Sequence, residues 1–106
     1  MTTQRKGFKM KLLDGAIDEY RKRHDEIWPD LIVLLKAAGV SDYSIFWDET
    51  DNTLTGILKA ENPNALARLP QQDIMKKWWH YMADLMETNP DESPLEIPLK
   101  EVFYLP

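Results

Sequence analysis

The segment SDYSIFWDETDNTLTGILKAE, residues 41–61, decides the fold because it contains two alternating stretches joined by a polar turn. In the first stretch, one face carries Tyr43, Ile45 and Trp47, and the other face carries Ser44 and Phe46. Alternation with a period of two is typical of a half-buried strand. Residues 41–61 are therefore predicted to form a β-hairpin.

The segments before the hairpin predict one strand and one long helix. GFKMKLL, residues 7–13, alternates apolar and basic side chains, which indicates a strand. Residues 15–38 have helical periodicity, with Asp14 as a candidate N-cap and Gly39 as a stop. Because proline cannot donate a backbone hydrogen bond, a kink is predicted at Pro29.

The segments after the hairpin predict a second helical region and a closing strand. Pro63 opens this region, which is predicted to break near Pro70 and to continue as a helix over residues 71–86. The segment TNPDESPLEIP, residues 88–98, has three prolines and no periodicity, so it is predicted to be a loop. KEVFYLP, residues 100–106, is predicted to be the last strand.

The predicted order is strand, helix, strand, strand, helix, strand, which is typical of an α+β, ferredoxin-like βαββαβ fold. Residues 1–106 are predicted to form a single domain. Two helices cover only one face of a four-stranded sheet, and Phe46 makes the other face partly apolar. A homodimer joined sheet to sheet, in a dimeric α+β barrel, is therefore predicted.

Composition narrows the classes of partner. The 106 residues carry a formal net charge of −5, which argues against a nucleic-acid or anionic-membrane surface. No stretch approaches the roughly 20 apolar residues that cross a bilayer. The chain has no cysteine, which excludes disulfides, thiolate metal sites and cysteine nucleophiles. A cytoplasmic protein that binds neither nucleic acid nor membrane is expected.

The helical stripes separate the two histidines. His24 lies on the apolar face of the first helix, and Tyr20 precedes it by one turn on the same face. In the second helix the inward stripe includes Trp78 and Trp79, whereas His80 falls outside it and is predicted to face solvent. The two histidines are therefore not expected to act as a pair.

Two interpretations of the inward polar residues remain open from the pattern alone. Tyr20 and His24 could be core residues with satisfied hydrogen bonds, and the tryptophans could simply fill volume between helix and sheet. Alternatively, these side chains and Tyr43 line a pocket with an aromatic wall and a few polar groups. A buried polar group without a partner costs about 1–3 kcal/mol, which gives the pocket interpretation weight.

Such a pocket would suit a neutral ligand with many hydroxyl groups. The C–H face of a sugar stacks on an indole, while its hydroxyls bond to phenol and imidazole groups. Histidine exchanges protons near neutral pH, so it can perform acid–base chemistry alone. The sequence contains no glycine-rich phosphate loop and no metal-ligand spacing, so no cofactor and no metal are expected.

Five segments together resemble the L-rhamnose mutarotases, a family of small dimeric α+β barrel proteins. The similarity spans the chain from about Gly7, in order and without large gaps. The segments are EYRKRHDEIWPDL (19–31), SDYSIFWDE (41–49), KKWWHYM (76–82), NPDESP (89–94) and EVFYLP (101–106). Asp30, where the family usually has Glu, and Trp47, where an aliphatic residue is expected, are the departures.

The resemblance implies interconversion of the α and β anomers of L-rhamnose, or of a similar small sugar, in rhamnose breakdown. It implies that His24 is the proton donor. It also implies that the sugar contacts Tyr20, Tyr43, Trp78 and Trp79. The base that removes the anomeric proton is not identified.

Two alternative functions remain open from the sequence. The same dimeric barrel hosts cofactor-free monooxygenases that oxidise planar aromatic substrates, and an aromatic pocket with a histidine could serve them. A non-catalytic dimeric module that binds a small ligand would also fit. Under that alternative, replacing His24 would lower stability without affecting any turnover.

Overall fold

The computed structural model describes residues 3–106, which form a four-stranded sheet with helices packed against it. The strands are β1 (Gln4–Lys11), β2 (Val40–Asp48), β3 (Thr53–Ala60) and β4 (Ile97–Leu99). The helices are α1 (Ile17–Asp25), α2 (Pro29–Ala37), α3 (Pro63–Arg68) and α4 (Asp73–Met82), with a 3₁₀ turn at Leu69–Gln71.

The strand order in the sheet is β2-β3-β1-β4, and all neighbouring strands are antiparallel. This is the order that a βαββαβ chain adopts in the ferredoxin-like fold, so the predicted fold class is confirmed. One row across the sheet joins Ile45, Gly56, Phe8 and Pro98. The hairpin predicted over residues 41–61 is present as β2 and β3.

The predicted single kinked helix over residues 15–38 is wrong, because the chain forms two helices there. Helix α1 ends at Asp25, and Trp28 has an extended backbone with φ −63° and ψ 130°. The ring of Pro29 clashes with a helical conformation at the preceding residue, so Trp28 leaves the helix. Proline is favoured at the first helical position, where no amide is needed, and Pro29 therefore starts α2.

The ends of these helices agree with one of the two predicted boundary residues. Asp14 is not the N-cap, since helix α1 is preceded by Ala16, which makes no side-chain capping bond. Gly39 does end α2, as predicted, with φ +82°. This left-handed conformation favours glycine, and a Cβ there would lie 3.2 Å from the Cβ of Glu61.

The second helical region begins at Pro63 and breaks at the Leu69–Gln71 turn, as predicted. The helix predicted over residues 71–86 is shorter in the structure, where α4 ends at Met82. Residues beyond it pair with the end of β1 instead: Met86 bridges Leu12, and the amide of Glu87 donates to the carbonyl of Lys11. These backbone bonds are incompatible with a continued helix.

The last strand lies earlier than predicted. Strand β4 occupies Ile97–Leu99, so it begins in the last two residues of the segment predicted to be a loop, and residues 100–106 are not in a strand. Its partner is the Gly7–Lys9 part of β1. The final segment is instead held through Arg5, whose Nε lies 2.8 Å from Glu101 and whose guanidinium stacks 4.5 Å from the Tyr104 ring centroid. The strand predicted over residues 100–106 is therefore wrong.

The two faces of the sheet differ in character. On the helix-covered face, Phe8, Met10, Leu54 and Leu58 are buried in the core, together with Leu31. The register places Ile45 and Trp47 on this face, as predicted, opposite Gly56 and Leu54. The opposite face carries Phe46, Thr55, Lys9 and Ile97 in one row across the sheet.

Within residues 3–106, no helix has the length and apolar character needed to cross a membrane.

Candidate active site

A cavity of about 1000 Å³ lies between the helix-covered face of the sheet and the helices. All five residues predicted to form the site line it, and they come from α1, β2 and α4. They are Tyr20, His24, Tyr43, Trp78 and Trp79. The structure thus brings together side chains that are up to 59 positions apart in the sequence.

His24 is held by the helix that carries it. Its Nδ1 lies 3.1 Å from the carbonyl oxygen of Tyr20, one turn earlier. Because a carbonyl only accepts, Nδ1 must carry the hydrogen of this bond, which leaves Nε2 for other partners. The imidazole also stacks on the Tyr20 ring, with centroids 4.3 Å apart and planes at 27°. The ring is therefore fixed in both tautomer and orientation.

Burial lowers the pKa of His24 from its ordinary value of 6.5, because the imidazolium loses solvation in the cavity wall. The hydrogen bond to the Tyr20 carbonyl and the charge of Asp25 act in the opposite direction. A histidine whose pKa lies near or below neutrality gives up a proton readily once charged. This property suits proton transfer to a weakly basic oxygen.

The two phenols of the site are held in their neutral form. Burial raises the pKa of Tyr20, and the nearby Tyr43 hydroxyl adds to the effect. Tyr43 is 41% exposed overall, but desolvation within the cavity likewise raises its pKa, with a further contribution from the charge of Glu96. The Tyr43 ring meets the edge of the Phe8 ring, with centroids 6.2 Å apart. Both tyrosines therefore act as neutral hydrogen-bonding groups, not as bases.

Helix α4 supplies the tryptophan wall. Trp78 is buried, and its ring packs edge-on against two others. The ring centroids lie 5.4 Å apart for His24 and 5.1 Å apart for Trp28. Trp79 is half-buried and lines the same cavity. Adjacent helical residues point about 100° apart. The two indoles thus present different surfaces to the cavity, which can accommodate both a flat face and an edge of a ligand.

His80 lies outside this site, as predicted. Its side chain is 77% exposed, and its Nδ1 lies 2.7 Å from a carboxylate oxygen of Glu92. This surface contact joins α4 to the segment that leads into β4. The two histidines of the described chain therefore have unrelated environments.

The relative position of α1 and α4 is set by Arg23, the neighbour of His24. Its Nη1 lies 2.6 Å from the carbonyl oxygen of Tyr81 and 2.8 Å from Oδ1 of Asp84. Its Nε lies 2.8 Å from Glu19, and its guanidinium stacks 4.4 Å from the Tyr81 ring centroid. These contacts fix the helix that carries the imidazole against the helix that carries the indoles.

Sequence reasoning missed several cavity residues. Lys6 and Glu96 line the cavity, the first from β1 and the second from the segment before β4. Trp28 lies outside the lining, but its ring packs edge-on against that of Trp78. Glu96 sits in a stretch without periodicity, so no pattern signal could have found it. Trp47 lines the cavity too, and its Nε1 donates to Asn52 at 3.0 Å.

The arrangement combines an aromatic surface with a few polar groups. Indole faces bind the C–H side of a saturated ring, and phenol hydroxyls bind its hydroxyl groups. One oriented imidazole faces the same space. In residues 3–106, no group of three His, Asp or Glu side chains is placed to hold a metal ion. The residues present are suited to proton transfer on a small neutral ligand.

Comparisons with known proteins agree with this geometry. A family model described as L-rhamnose mutarotase matches residues 5–105. An L-rhamnose mutarotase from Brucella anthropi is 52% identical over 106 residues, which is 100% of both chains. One from Mesorhizobium japonicum is 54% identical over 98 residues, which is 92% of this chain and 93% of that one.

Solved structures give the same assignment. The crystal structure of an L-rhamnose mutarotase from Formosa agariphila superposes with a TM-score of 0.90 at 50% identity, covering 97% of this chain and 99% of that one. A conserved protein from Methanosarcina mazei, at 15% identity and a TM-score of 0.65 over 95% and 94% of the chains, shares the fold alone. From the matched residues 5–105 and these full-length similarities, the chain belongs to the L-rhamnose mutarotase family.

Proposed function

We propose that this protein is an isomerase that interconverts the α and β anomers of L-rhamnose. The observation that carries the proposal is the oriented His24, whose Nε2 is free while Nδ1 is tied to a backbone carbonyl inside an aromatic cavity. Membership of the L-rhamnose mutarotase family supports the same activity. The comparisons favour neither a cofactor-free monooxygenase nor a non-catalytic binding module.

The sugar binds, in this proposal, with its C–H face on the tryptophan wall. Trp78 and Trp79 supply this surface, and the neutral hydroxyls of Tyr20 and Tyr43 bond to the sugar hydroxyls. Both phenols keep their protons at neutral pH, since an ordinary phenol has a pKa of about 10 and desolvation raises the pKa of each further. Binding thus fixes the pyranose ring next to His24 without placing a charge against it.

The chemical step is the opening and closing of a hemiacetal ring. The charged His24 donates its Nε2 proton to the ring oxygen, and the bond between C1 and that oxygen breaks. A base removes the proton of the anomeric hydroxyl, so C1 becomes a carbonyl. After rotation about the C1–C2 bond, the ring closes on the other face and both protons return. Each step is a proton transfer, and the proposed route therefore uses no metal and no cofactor.

The size of the effect required is modest. The same exchange occurs unaided in water, so the enzyme accelerates a reaction that already has an accessible barrier. One positioned acid or base typically contributes about 10²- to 10⁴-fold. His24 with a single base is therefore sufficient for a useful acceleration.

We also propose that the protein is a homodimer joined through the sheet face opposite the helices. On this face Phe46 is 60% exposed, Ile97 61% and Leu99 41%, and Ile57 is half-buried beside them. Apolar side chains gathered on one sheet face are stabilised when a second copy covers them. The dimer agrees with the dimeric α+β barrel that the family resemblance implies.

Two broader assignments complete the proposal. We take residues 1–106 as one domain, because a single sheet joins β1 near the start of the chain to β4 near its end. We place the enzyme in the cytoplasm, since anomer exchange would supply enzymes that break down the sugar after its uptake. Neutral small sugars are the proposed partners, and neither nucleic acid nor membrane is.

The test is a direct assay of anomer exchange. A freshly dissolved single anomer of L-rhamnose should reach its equilibrium optical rotation faster with catalytic amounts of the protein than in buffer. A polarimetric time course equal to that of buffer would contradict the proposed activity. The same assay with other aldoses measures how strictly the cavity selects its sugar.

A further inference from the structure

We propose that Glu96 is the general base that removes the proton of the anomeric hydroxyl. This inference rests on the proposed mutarotase function, and it assigns the one proton-transfer role that the mechanism above leaves without a residue. Glu96 lines the same cavity as His24 but belongs to a different wall, formed by the segment immediately before β4.

The choice of carboxylate follows from the cavity lining. Within the described chain, the carboxylates that line the cavity belong to Asp25 and Glu96. Asp25 directly follows His24 at the end of α1 and also borders an open surface groove. It approaches the cavity from the wall that already holds the acid. Glu96 lines the cavity from the segment before β4 and not from the helix that carries His24, so acid and base can contact two different oxygens of one bound ring.

A line of polar groups connects the two walls. The imidazole of His24 stacks on Tyr20 at 4.3 Å. Tyr20, Tyr43 and Glu96 line the same cavity. Tyr43 contributes to the raised pKa of Tyr20, and the charge of Glu96 contributes to the raised pKa of Tyr43. A sugar bound to the two phenols would therefore have His24 on one side and Glu96 on the other.

The surroundings of Glu96 suit a base. The Glu96 side chain is exposed on the cavity wall. Partial desolvation there raises the pKa of its carboxyl, and the charge of Lys6 on the neighbouring strand opposes that rise. The carboxylate is thus a stronger base than a fully solvated one, and Lys6 favours its ionised form. General-base efficiency increases as the pKa of the base approaches the working pH.

The proton transfers balance in both directions. During opening, His24 gives its proton to the ring oxygen, which takes the electrons of the broken bond to C1. Glu96 takes the anomeric proton, and the electrons of that O–H bond form the carbonyl. During closing, Glu96 returns its proton to the carbonyl oxygen, and His24 recovers its proton from the hydroxyl that attacks C1. The enzyme ends each cycle in its starting state.

The test compares Glu96→Gln with wild type in the full-length protein, by NMR exchange between the anomeric proton signals of L-rhamnose. We expect kcat to fall about 10²- to 10⁴-fold, the usual effect of one general base, with little change in KM. Glu101→Gln is the matched control, because it makes the same change on the other side of β4, outside the cavity lining and in contact with Arg5. It should retain wild-type exchange.

A second variant separates a chemical role from a structural one. In Glu96→Ala, added formate should restore part of the lost rate, because a small carboxylate can occupy the vacated space. Lost activity without any rescue in a folded variant would overturn the assignment, as would a Glu96→Gln variant as fast as wild type. A large loss in Asp25→Asn with full activity in Glu96→Gln would assign the base to Asp25. Failure of the wild type itself would instead refute the mutarotase function, and this inference with it.

Discussion

At His24 a single hydrogen bond determines which ring nitrogen is available for chemistry. The Tyr20 carbonyl holds Nδ1 at 3.1 Å, and this partner belongs to the backbone of the same helix. The bond therefore persists for as long as α1 is folded. Stacking on the Tyr20 ring and the edge contact with Trp78 restrict the remaining rotation of the imidazole. A residue so constrained loses little freedom when the sugar binds.

Replacement of His24 should remove most of the catalysis. In His24→Ala we expect kcat for anomer exchange to fall about 10²- to 10⁴-fold, since the proton donor is lost. His80→Ala is the matched control, because that side chain is 77% exposed and its contact with Glu92 lies on the surface. NMR exchange rates of both variants, with circular dichroism to verify folding, provide the measurement. Equal activity in folded His24→Ala and His80→Ala would remove the histidine from the mechanism.

The pH profile tests the protonation state assigned to His24. Only the charged imidazole carries an Nε2 proton, and burial lowers the pKa of His24 from 6.5. The donor form of His24 is therefore fully populated only below that lowered pKa, so on the alkaline limb kcat/KM should fall as pH rises and begin to do so below 6.5. Asp25 and the Tyr20 carbonyl favour the charged form, so Asp25→Asn should move the fall further to acid pH. An increase of kcat/KM along this limb would assign His24 to the base instead.

At the scale of elements, the break between α1 and α2 places the aromatic groups. The backbone of Trp28 is extended, so its side chain does not follow the helical path of α1. Its ring packs against those of Trp78 and Tyr81, with centroids 5.1 Å and 5.5 Å apart. A continuous helix would have carried this ring elsewhere. Pro29 thus determines the packing behind the tryptophan wall, although it lies outside the cavity lining.

Gly56 has a comparable role in the sheet. A Cβ at this position would lie 2.4 Å from Cζ of Phe8, whose ring in turn meets Tyr43. Gly56→Ala should therefore lower the free energy of unfolding by about 1–3 kcal/mol, as overpacked cores do, and raise KM for the sugar. Gly7→Ala is the control, since its Cβ would make an ordinary 3.6 Å contact with Leu99.

Urea denaturation of the two glycine variants measures this difference. For Gly7→Ala we expect unchanged stability or a gain of up to about 0.5–1 kcal/mol, because alanine is less flexible in the unfolded chain. Equal stability of the Gly56 and Gly7 variants would show that the Phe8 ring moves aside freely. It would also show that the sheet does not support Tyr43 in the way described.

Sequence patterns predicted the elements that carry strong periodicity. Alternation correctly identified β1 and the hairpin, and Gly39 correctly marked a helix end. The sequence predicts only a kink at Pro29, because apolar residues keep their helical spacing on both sides of it. The interruption of the helix is visible only in the extended backbone of Trp28. Strand β4 was missed because Pro98 lies inside it, and a strand at a sheet edge tolerates proline.

The sequence predicted five residues of the candidate site but not Glu96. Periodicity placed Tyr20 and His24 on one inward face and Trp78 and Trp79 on another, and the alternation of the hairpin added Tyr43; the family resemblance implies the same five residues. All five line the cavity. Glu96 could not have been selected, because its position depends on how the segment between α4 and β4 crosses the sheet. No short-range pattern in the sequence encodes that path.

At the scale of the whole molecule, the sheet face opposite the helices is the proposed dimer interface. If a second copy covers this face, a charge placed on it must be buried without compensation, which is costly. Phe46→Lys should therefore shift the protein from dimer to monomer in size-exclusion chromatography with light scattering. Val33→Lys is the control, since Val33 is 67% exposed on α2 and not on the sheet. A monomeric wild type, or a dimeric Phe46→Lys variant, would contradict this interface.

The molecule as a whole is organised around one reaction. Strand β2 and the segment before β4 supply Tyr43 and Glu96 to the site. Helix α1 supplies the imidazole, and α4 supplies the indoles. Arg23 holds the two helices together through the Tyr81 carbonyl and Asp84. These separate elements meet only in the folded chain, so the site and the fold form together.

The most direct test of the proposed function is NMR exchange spectroscopy on L-rhamnose at anomeric equilibrium. With the enzyme far below the sugar concentration, binding does not alter the anomer ratio, and only catalysis changes the exchange rate. We predict that wild-type protein increases the rate of exchange between the two anomeric proton signals, and that His24→Ala returns it close to the buffer rate. An exchange rate with wild-type protein equal to that in buffer would contradict the mutarotase function.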